Sequence, residues 1–351
     1  ARELRVVRRH VGEIDIGRTF EPAPPAWARN QPPGSSLMFL GPGQRLSVRQ
    51  LLEGLAVSSG NDAAVALALE LDGSVPAFAD RMNRVAVKAG LTTSSFVEPS
   101  GIDPRNLITA YEYAAFLLHH LERFPELIPE LYARKSYTYP QDQNRTAADT
   151  LPPITQFNRN LLLASYEGAD GVKTGFIDES GYHLAATALR NGRRLIAVVL
   201  GVDAASHAAG GEARAGEAAA LLDYGFNNFA VLRFSHPPVS DVRVFKGAVR
   251  QVSPRAPVEI AVSAPKGATE LLAGVVDLTT EVVAPVPADR IVGNTSVRLG
   301  DLVLAEEPLT LPAVPEGGFL RRVWDSIVLF VRALFGGEQP PAGDQLEILE
   351  A

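Results

Sequence analysis

The strongest constraint on how this chain can fold is Asn191-Gly192, set between two apolar, β-capable runs, Tyr182 to Leu189 and Arg194 to Gly201. A type I′ turn needs positive φ at both central residues, and Asn-Gly meets that need at little steric cost. The pair therefore predicts a β-hairpin with two long arms. Immediately upstream lies Gly171-Val172-Lys173-Thr174-Gly175, predicted to run along an edge strand just before the hairpin. There the Lys173 ammonium, the Thr174 hydroxyl and neighbouring backbone N–H groups can face a ligand. Three letters alone, Lys-Thr-Gly, are weak evidence, because a lysine near a turn is most often merely solvated.

At 351 residues the chain has room for two domains. A hydrophobic content of 46% against 21% charged residues is enough to give both a core. The absence of cysteine excludes thiol catalysis, disulfides and cysteine-ligated zinc. A formal net charge of −7 argues against a general nucleic-acid binder. The histidines at 10, 119, 120, 183, 207 and 236 show no metal-ligand spacing, and no Gly-rich nucleotide loop occurs, so no metal or cofactor is expected. The opening ARELRVVRRH lacks the apolar run of a signal peptide.

Residues 1–34, rich in proline, read as surface loop. Gly34 to Leu40 then reads as a short strand closed by Gly41-Pro42-Gly43. Ser47 and Gln50 form a capping-box pattern at the start of a helix that stops at Ser58-Ser59-Gly60. An Ala-rich helix follows to Leu71. A third, after Ser74, is predicted to bury Phe78, Met82 and Val85 and to end at Gly90. Thr109 and Glu112 repeat the capping box before Leu117, Leu118 and Leu121. Residues 122–156 read as a long surface excursion with a short hairpin near Tyr137 and Tyr139, and a last helix is expected from about Ala213 to Tyr224.

Composition shifts near His236-Pro237-Pro238, and alternation from Asp241 to about Leu311 predicts a small antiparallel β domain. Phe319 to Phe335 carries paired apolar residues at helical spacing, with Arg321, Arg322, Asp325, Ser326 and Arg332 between them. Such a helix is too charged to span a bilayer, which takes about 20 apolar residues. It suits the membrane interface, with packing on the β domain or a partner as the alternative. Residues 336–351, acidic and proline-containing, read as a disordered tail.

Two polar clusters interrupt the apolar pattern. In Ser59-Gly60-Asn61, the Ser59 hydroxyl can point into a cleft or simply cap the next helix. In Lys173-Thr174-Gly175, the glycine would let a ligand approach the strand closely. Ser-x-Asn followed a hundred or so residues later by Lys-Thr-Gly resembles the second and third motifs of penicillin-binding proteins and serine β-lactamases. With GSSLMFL, SSGNDAAVALA, QFNRNLLL, GADGVKTGFIDESGYHLAA, LLDYGF and PEGGFLRRVWDSIVLFVRALF, nearly the whole chain resembles the D-alanyl-D-alanine carboxypeptidases of the penicillin-binding protein 5 type.

That resemblance implies a mixed α/β transpeptidase-like domain over residues 1–234, incomplete at its start, a β-sandwich domain over 239–313 and an amphipathic anchor over 317–335. It also implies acyl-enzyme removal of the terminal D-alanine from peptidoglycan stem peptides, β-lactam antibiotics as ligands, and a place on the periplasmic face of the cytoplasmic membrane. On the matching positions, Ser59 relays a proton, Asn61 binds the substrate amide, and Lys173 and Thr174 bind the substrate carboxylate. The N–H of Phe176, just past Gly175, donates to the oxyanion, and Arg214 binds the terminal carboxylate. Arg214 as a surface helix residue is the alternative.

The chain departs from the family at the front. The acylated serine belongs to a Ser-x-x-Lys motif some sixty residues before the second motif. Serines 35, 36, 47, 58, 59, 74, 94, 95 and 100 have no lysine three positions on, and Ser136 follows Lys135 rather than preceding one. The motif is expected upstream of Ala1, so no nucleophile is assigned within the chain. An inert peptidoglycan-binding or scaffolding protein is the rival reading. A β-lactamase is a third, weakened by the missing Glu-x-x-Leu-Asn stretch and by Gly60 where Ser-Asp-Asn has Asp.

Overall fold

A computed structural model describes residues 15–145, 152–235 and 239–335. The chain divides into two compact units, Ala1–Gly225 and Phe226–Ala351. Expectations stated for residues 1–10, 236–238 and 336–351 lie outside the described residues.

In the first unit, β1 (Thr19–Phe20) pairs with β2 (Leu46–Ser47), which runs into α1 (Val48–Ser58). The capping box forms in full: Ser47 Oγ accepts from the Gln50 N–H at 3.2 Å, and Gln50 Oε1 accepts from the Ser47 N–H at 3.0 Å. After α1 come α2 (Asn61–Asp72), α3 (Val75–Lys88) and α4 (Ala110–Arg123). Contrary to expectation, α3 buries Ala79 and Ala86 and leaves Val85 47% exposed. Phe78 and Met82 are half-buried. At α4, Thr109 caps the Glu112 N–H at 3.1 Å, but the Glu112 carboxylate turns away. It takes N–H bonds from Thr92 and Thr93, at 2.7 and 2.9 Å, and the Ser94 hydroxyl at 2.5 Å. A loop with three donors to offer outcompetes the reciprocal half of the box.

The expected strand at residues 34–40 does not join a sheet, because Phe39 adopts φ 73 and breaks the extended run. Its backbone is satisfied by the buried Asp62 carboxylate, whose oxygens accept from the Met38 and Leu40 N–H groups at 2.8 and 2.9 Å. Met38, Leu40, Leu46, Leu51 and Tyr139 form the core under α1 and α2. The expected surface excursion is therefore partly core. β3 (Ser136–Tyr139) pairs with β4 (Ile154–Phe157), and both Tyr137 and Tyr139 are buried.

After α5 (Leu162–Ser165) comes the hairpin sheet: β5 (Ala169–Ile177), β6 (Gly181–Arg190) and β7 (Arg193–Val202), all antiparallel in that order. Asn191 and Gly192 make the turn at φ 50 and φ 74. Lys173 lies opposite Ala185 on β5, an edge strand among the described residues. Leu117 and Leu121 of α4 pack on Val172 and Ala185 of the sheet. The last helix, α6, runs from His207 to Asn228, six residues earlier at its start than its apolar pattern implied. Gly210 belongs inside it because a Cβ there would collide with the Tyr182 ring.

The second unit begins with β8 (Phe229–Ser235), ahead of the shift in composition, because β8 pairs along its whole length with β11 (Glu259–Pro265). The remaining strands are β9 (Val242–Phe245), β10 (Gln251–Val252), β12 (Leu272–Leu278), β13 (Glu281–Val283), β14 (Arg290–Leu299) and β15 (Leu302–Leu311). They form sheets in the orders β10-β9-β13 and β12-β14-β15. One pair, β9 with β13, is parallel, where only antiparallel pairing was expected. Val242, Val244, Leu309 and Leu311 centre the core. α7 (Phe319–Phe335) closes the unit. Among the described residues no helix is long and apolar enough to cross a membrane.

Candidate active site

Ser59 occupies the corner between α1 and α2 in the left-handed conformation, φ 56 and ψ 36. That corner turns its hydroxyl toward β5, where Lys173 Nζ donates to Ser59 Oγ at 2.7 Å and to the Thr174 carbonyl at 2.8 Å. Two motifs 114 positions apart in sequence thus meet through one hydrogen bond. Gly60 has no room for a side chain, since a Cβ would sit 2.8 Å from Asp62 Oδ1 and 3.0 Å from the Met38 backbone nitrogen. The glycine in Ser-Gly-Asn is thus a steric consequence of how residues 36–40 lie across the corner. Asn61 is only 8% exposed, and its N–H donates to the Ser36 carbonyl at 2.8 Å. Its side-chain amide has no hydrogen-bond partner among the described residues, and neither has the Thr174 hydroxyl. Both groups are therefore open to a ligand.

Arg214, 6% exposed, projects from α6 behind β5. It donates to the carbonyls of Gly175 at 3.0 Å, His183 at 3.4 Å and Arg159 at 3.4 Å. A guanidinium has five N–H donors, so donors remain for a ligand. The surface-helix alternative for Arg214 does not hold. Phe176 packs its ring on Tyr182 and His207, at centroid distances of 4.3 and 4.9 Å, and so anchors the strand just after Gly175.

Sequence reasoning missed two residues. Arg159 stands between Asn158, which donates to the Arg134 carbonyl, and Asn160, which donates to the Gly171 carbonyl at 3.0 Å. Those amides fix the backbone so that the guanidinium is felt by both Lys173 and Arg214. Its only signal was the Asn-Arg-Asn within QFNRNLLL. His183 lies opposite Gly175, where β6 and β7 slip register. Its Nδ1 accepts the Gly201 N–H at 2.9 Å, which assigns the ring proton to Nε2, and Nε2 then donates to Ser180 Oγ at 2.8 Å.

Burial, then the charges of Arg159 and Arg214, push the Lys173 ammonium down to about 7. Lys173 can therefore exchange a proton with Ser59 near neutral pH. Lys173, Arg159 and Arg214 form a cationic group with no carboxylate in ion-pair distance among the described residues. Among those residues there is also no cluster fit to hold a metal ion.

One further Ser-x-x-Lys match, Ser263-Ala264-Pro265-Lys266, escaped the spacing argument. It falls on β11 in the second unit, with Ser263 exposed. A helix brings positions i and i+3 to one face, whereas a strand sends them to opposite faces. That match is therefore not a nucleophile and its base.

The profile of the D-alanyl-D-alanine carboxypeptidase family matches residues 5–204, and that of the penicillin-binding protein 5 C-terminal domain matches 235–314. The D-alanyl-D-alanine carboxypeptidase DacC of Escherichia coli is 35% identical over 325 residues, covering 89% of this chain and 75% of its own. DacA of Haemophilus influenzae is 33% identical over 317 residues, covering 88% and 76%. The structure of penicillin-binding protein 5 from Haemophilus influenzae superposes with a TM-score of 0.72 at 31% identity, covering 86% of this chain and 84% of that one. That likeness agrees with the mixed α/β domain, the all-β domain and the sequence resemblance alike, and the chain belongs to the D-alanyl-D-alanine carboxypeptidase family.

Proposed function

We propose that this chain carries the substrate-binding wall of a serine-type D-Ala-D-Ala carboxypeptidase acting on peptidoglycan stem peptides. The observation that carries this reading is the uncompensated cationic group, Lys173, Arg159 and Arg214. Arg214 is buried, Lys173 half-buried and Arg159 exposed beside them. Like charges gathered without a counter-ion are costly, and a peptide's free C-terminal carboxylate is a natural complement. Thr174 adds a hydroxyl to the same carboxylate, Asn61 binds the peptide amide, and the Phe176 N–H stabilises the oxyanion. Ser59, bonded to Lys173, returns a proton to the leaving D-alanine amine. β-Lactams fit the same wall because they too present a carboxylate beside an acyl carbon.

No residue of this sequence takes the nucleophile's role. The chain is therefore expected to bind an N-acyl-D-Ala-D-Ala peptide and to take no covalent label from a fluorescent penicillin. Calorimetry with the free acid and with its C-terminal carboxamide tests the reading. Binding of the acid only is expected, and equal binding of both would sink it. A stable penicillin label would reveal a nucleophile within the chain.

The same reading places the protein at the outer face of the cytoplasmic membrane through α7. Support comes from its exposed apolar side, with Trp324 67% and Phe330 66% exposed. Deleting residues 319–351 should release the protein from membranes. Unchanged sedimentation with vesicles would remove this part of the proposal.

A further inference from the structure

α7 turns the usual order of an amphipathic helix inside out. Its half-buried residues are polar for the most part: Arg321, Arg322, Asp325, Val328 and Leu329, with the more exposed Arg332 one turn further along the same side. Arg321 Nη2 donates to the carbonyls of Val249 at 2.8 Å and Val244 at 3.3 Å, and its Nε lies 3.6 Å from Asp325. Asp325 in turn accepts the Lys246 N–H at 2.5 Å. Arg332 donates to both carboxylate oxygens of Glu281, at 2.8 and 2.9 Å, and its guanidinium lies 5.7 Å from the centre of the Phe245 ring. Arg322 pairs with Glu316. Every arginine of the helix is thus matched by a carboxylate, while Phe319, Leu320, Trp324, Ile327 and Phe330 stand exposed on the other side.

Interfacial helices commonly aim Lys and Arg at anionic headgroups, and each such residue raises binding about fivefold. We propose that this helix does not: its arginines are clamps to the β unit, and its bilayer contact is an electrically neutral apolar face that needs no anionic lipid. The inference rests on the membrane reading given above. A lipid interface suits this face better than a protein partner does, because it presents no polar group to fix an orientation and carries two large aromatics at mid-helix. Among the described residues three cations without an ion pair remain nearby: Lys246, which lines the groove beside Phe319 and Phe330, Arg243, which lies over the Phe245 ring, and Arg250, next to the Val249 that Arg321 binds. They set the electrostatic contribution that the test allows for.

The test is sedimentation of the full chain with vesicles of phosphatidylcholine alone and mixed with phosphatidylglycerol, each at low and high salt. The two lipids should bind within about tenfold of each other and be nearly indifferent to salt. Trp324→Asp combined with Ile327→Asp should abolish binding to both. Asp325→Asn and Glu281→Gln each release an arginine and should create a preference for the anionic vesicles that salt reverses. A preference of about a hundredfold or more for anionic vesicles in the unaltered chain would overturn the neutral face and leave the membrane reading intact. So would release variants that behave like the parent. No sedimentation with either vesicle, with or without self-association through α7, would overturn both.

Discussion

Two groups of basic side chains in this molecule are treated in opposite ways. On β5, α6 and the loop before α5, Lys173, Arg214 and Arg159 gather with carbonyls and two hydroxyls, Ser59 and Ser36, for company and, among the described residues, no acid. Along α7, Arg321, Arg322 and Arg332 each have a carboxylate within reach. Since the first arrangement repels itself, it persists only where surrounding structure enforces it, and it favours an incoming anion. The second is neutral and serves attachment. Counting arginines would rank the two regions alike, whereas asking what neutralises each one separates an uncompensated cluster from a paired one.

The largest consequence concerns Lys173. Its folded-state value lies below that of an unfolded lysine, so between about 7 and 10.5 the unfolded chain holds a proton that the folded chain lacks. The cost to stability is fully present below pH 7, shrinks as pH rises and is gone above 10.5. Lys173→Met should therefore remove a cost of up to about 5 kcal/mol at pH 6, and little at high pH. Urea denaturation of both proteins at the two pH values measures this, and an equal difference at both would mean that the ammonium is not strained. Next comes Arg214→Gln, expected to weaken binding of the free-acid peptide about a hundredfold while leaving the carboxamide unaffected. Parallel losses for acid and amide would assign Arg214 to architecture alone. Arg159→Gln should be milder, about tenfold in peptide affinity, and should move the Lys173 titration upward in NMR. Smallest is Arg332→Gln, an exposed pair whose loss should cost under about 1 kcal/mol in thermal unfolding. A larger cost would make the fastening of α7 more than attachment.

What the sequence disclosed follows from how local each determinant is. Asn191-Gly192 and Ser47 with Gln50 carry their own geometry within a few residues, and both form as read. The meeting of Ser59 with Lys173 was legible only through family likeness, because nothing local links positions on different elements. Glu112 went astray because its carboxylate found donors elsewhere in the fold, and residues 37–40 because Phe39 breaks the extended run while Asp62 takes up the N–H groups on either side. The early start of α6 was hidden because Gly210 looks like a helix breaker until Tyr182 is placed against it. Arg159 escaped because its role is electrostatic and leaves no periodic trace.

The register slip at His183 has a practical consequence. With Nδ1 fixed as acceptor and Nε2 as donor, the ring is locked in one tautomer directly behind Gly175, and its own carbonyl touches Arg214. Its two ring nitrogens therefore have distinct and stable NMR resonances, separated by which one bears the proton. A ligand that draws the Arg214 guanidinium forward loosens the contact to that carbonyl and shifts both signals. His183 thus offers a spectroscopic window on occupancy.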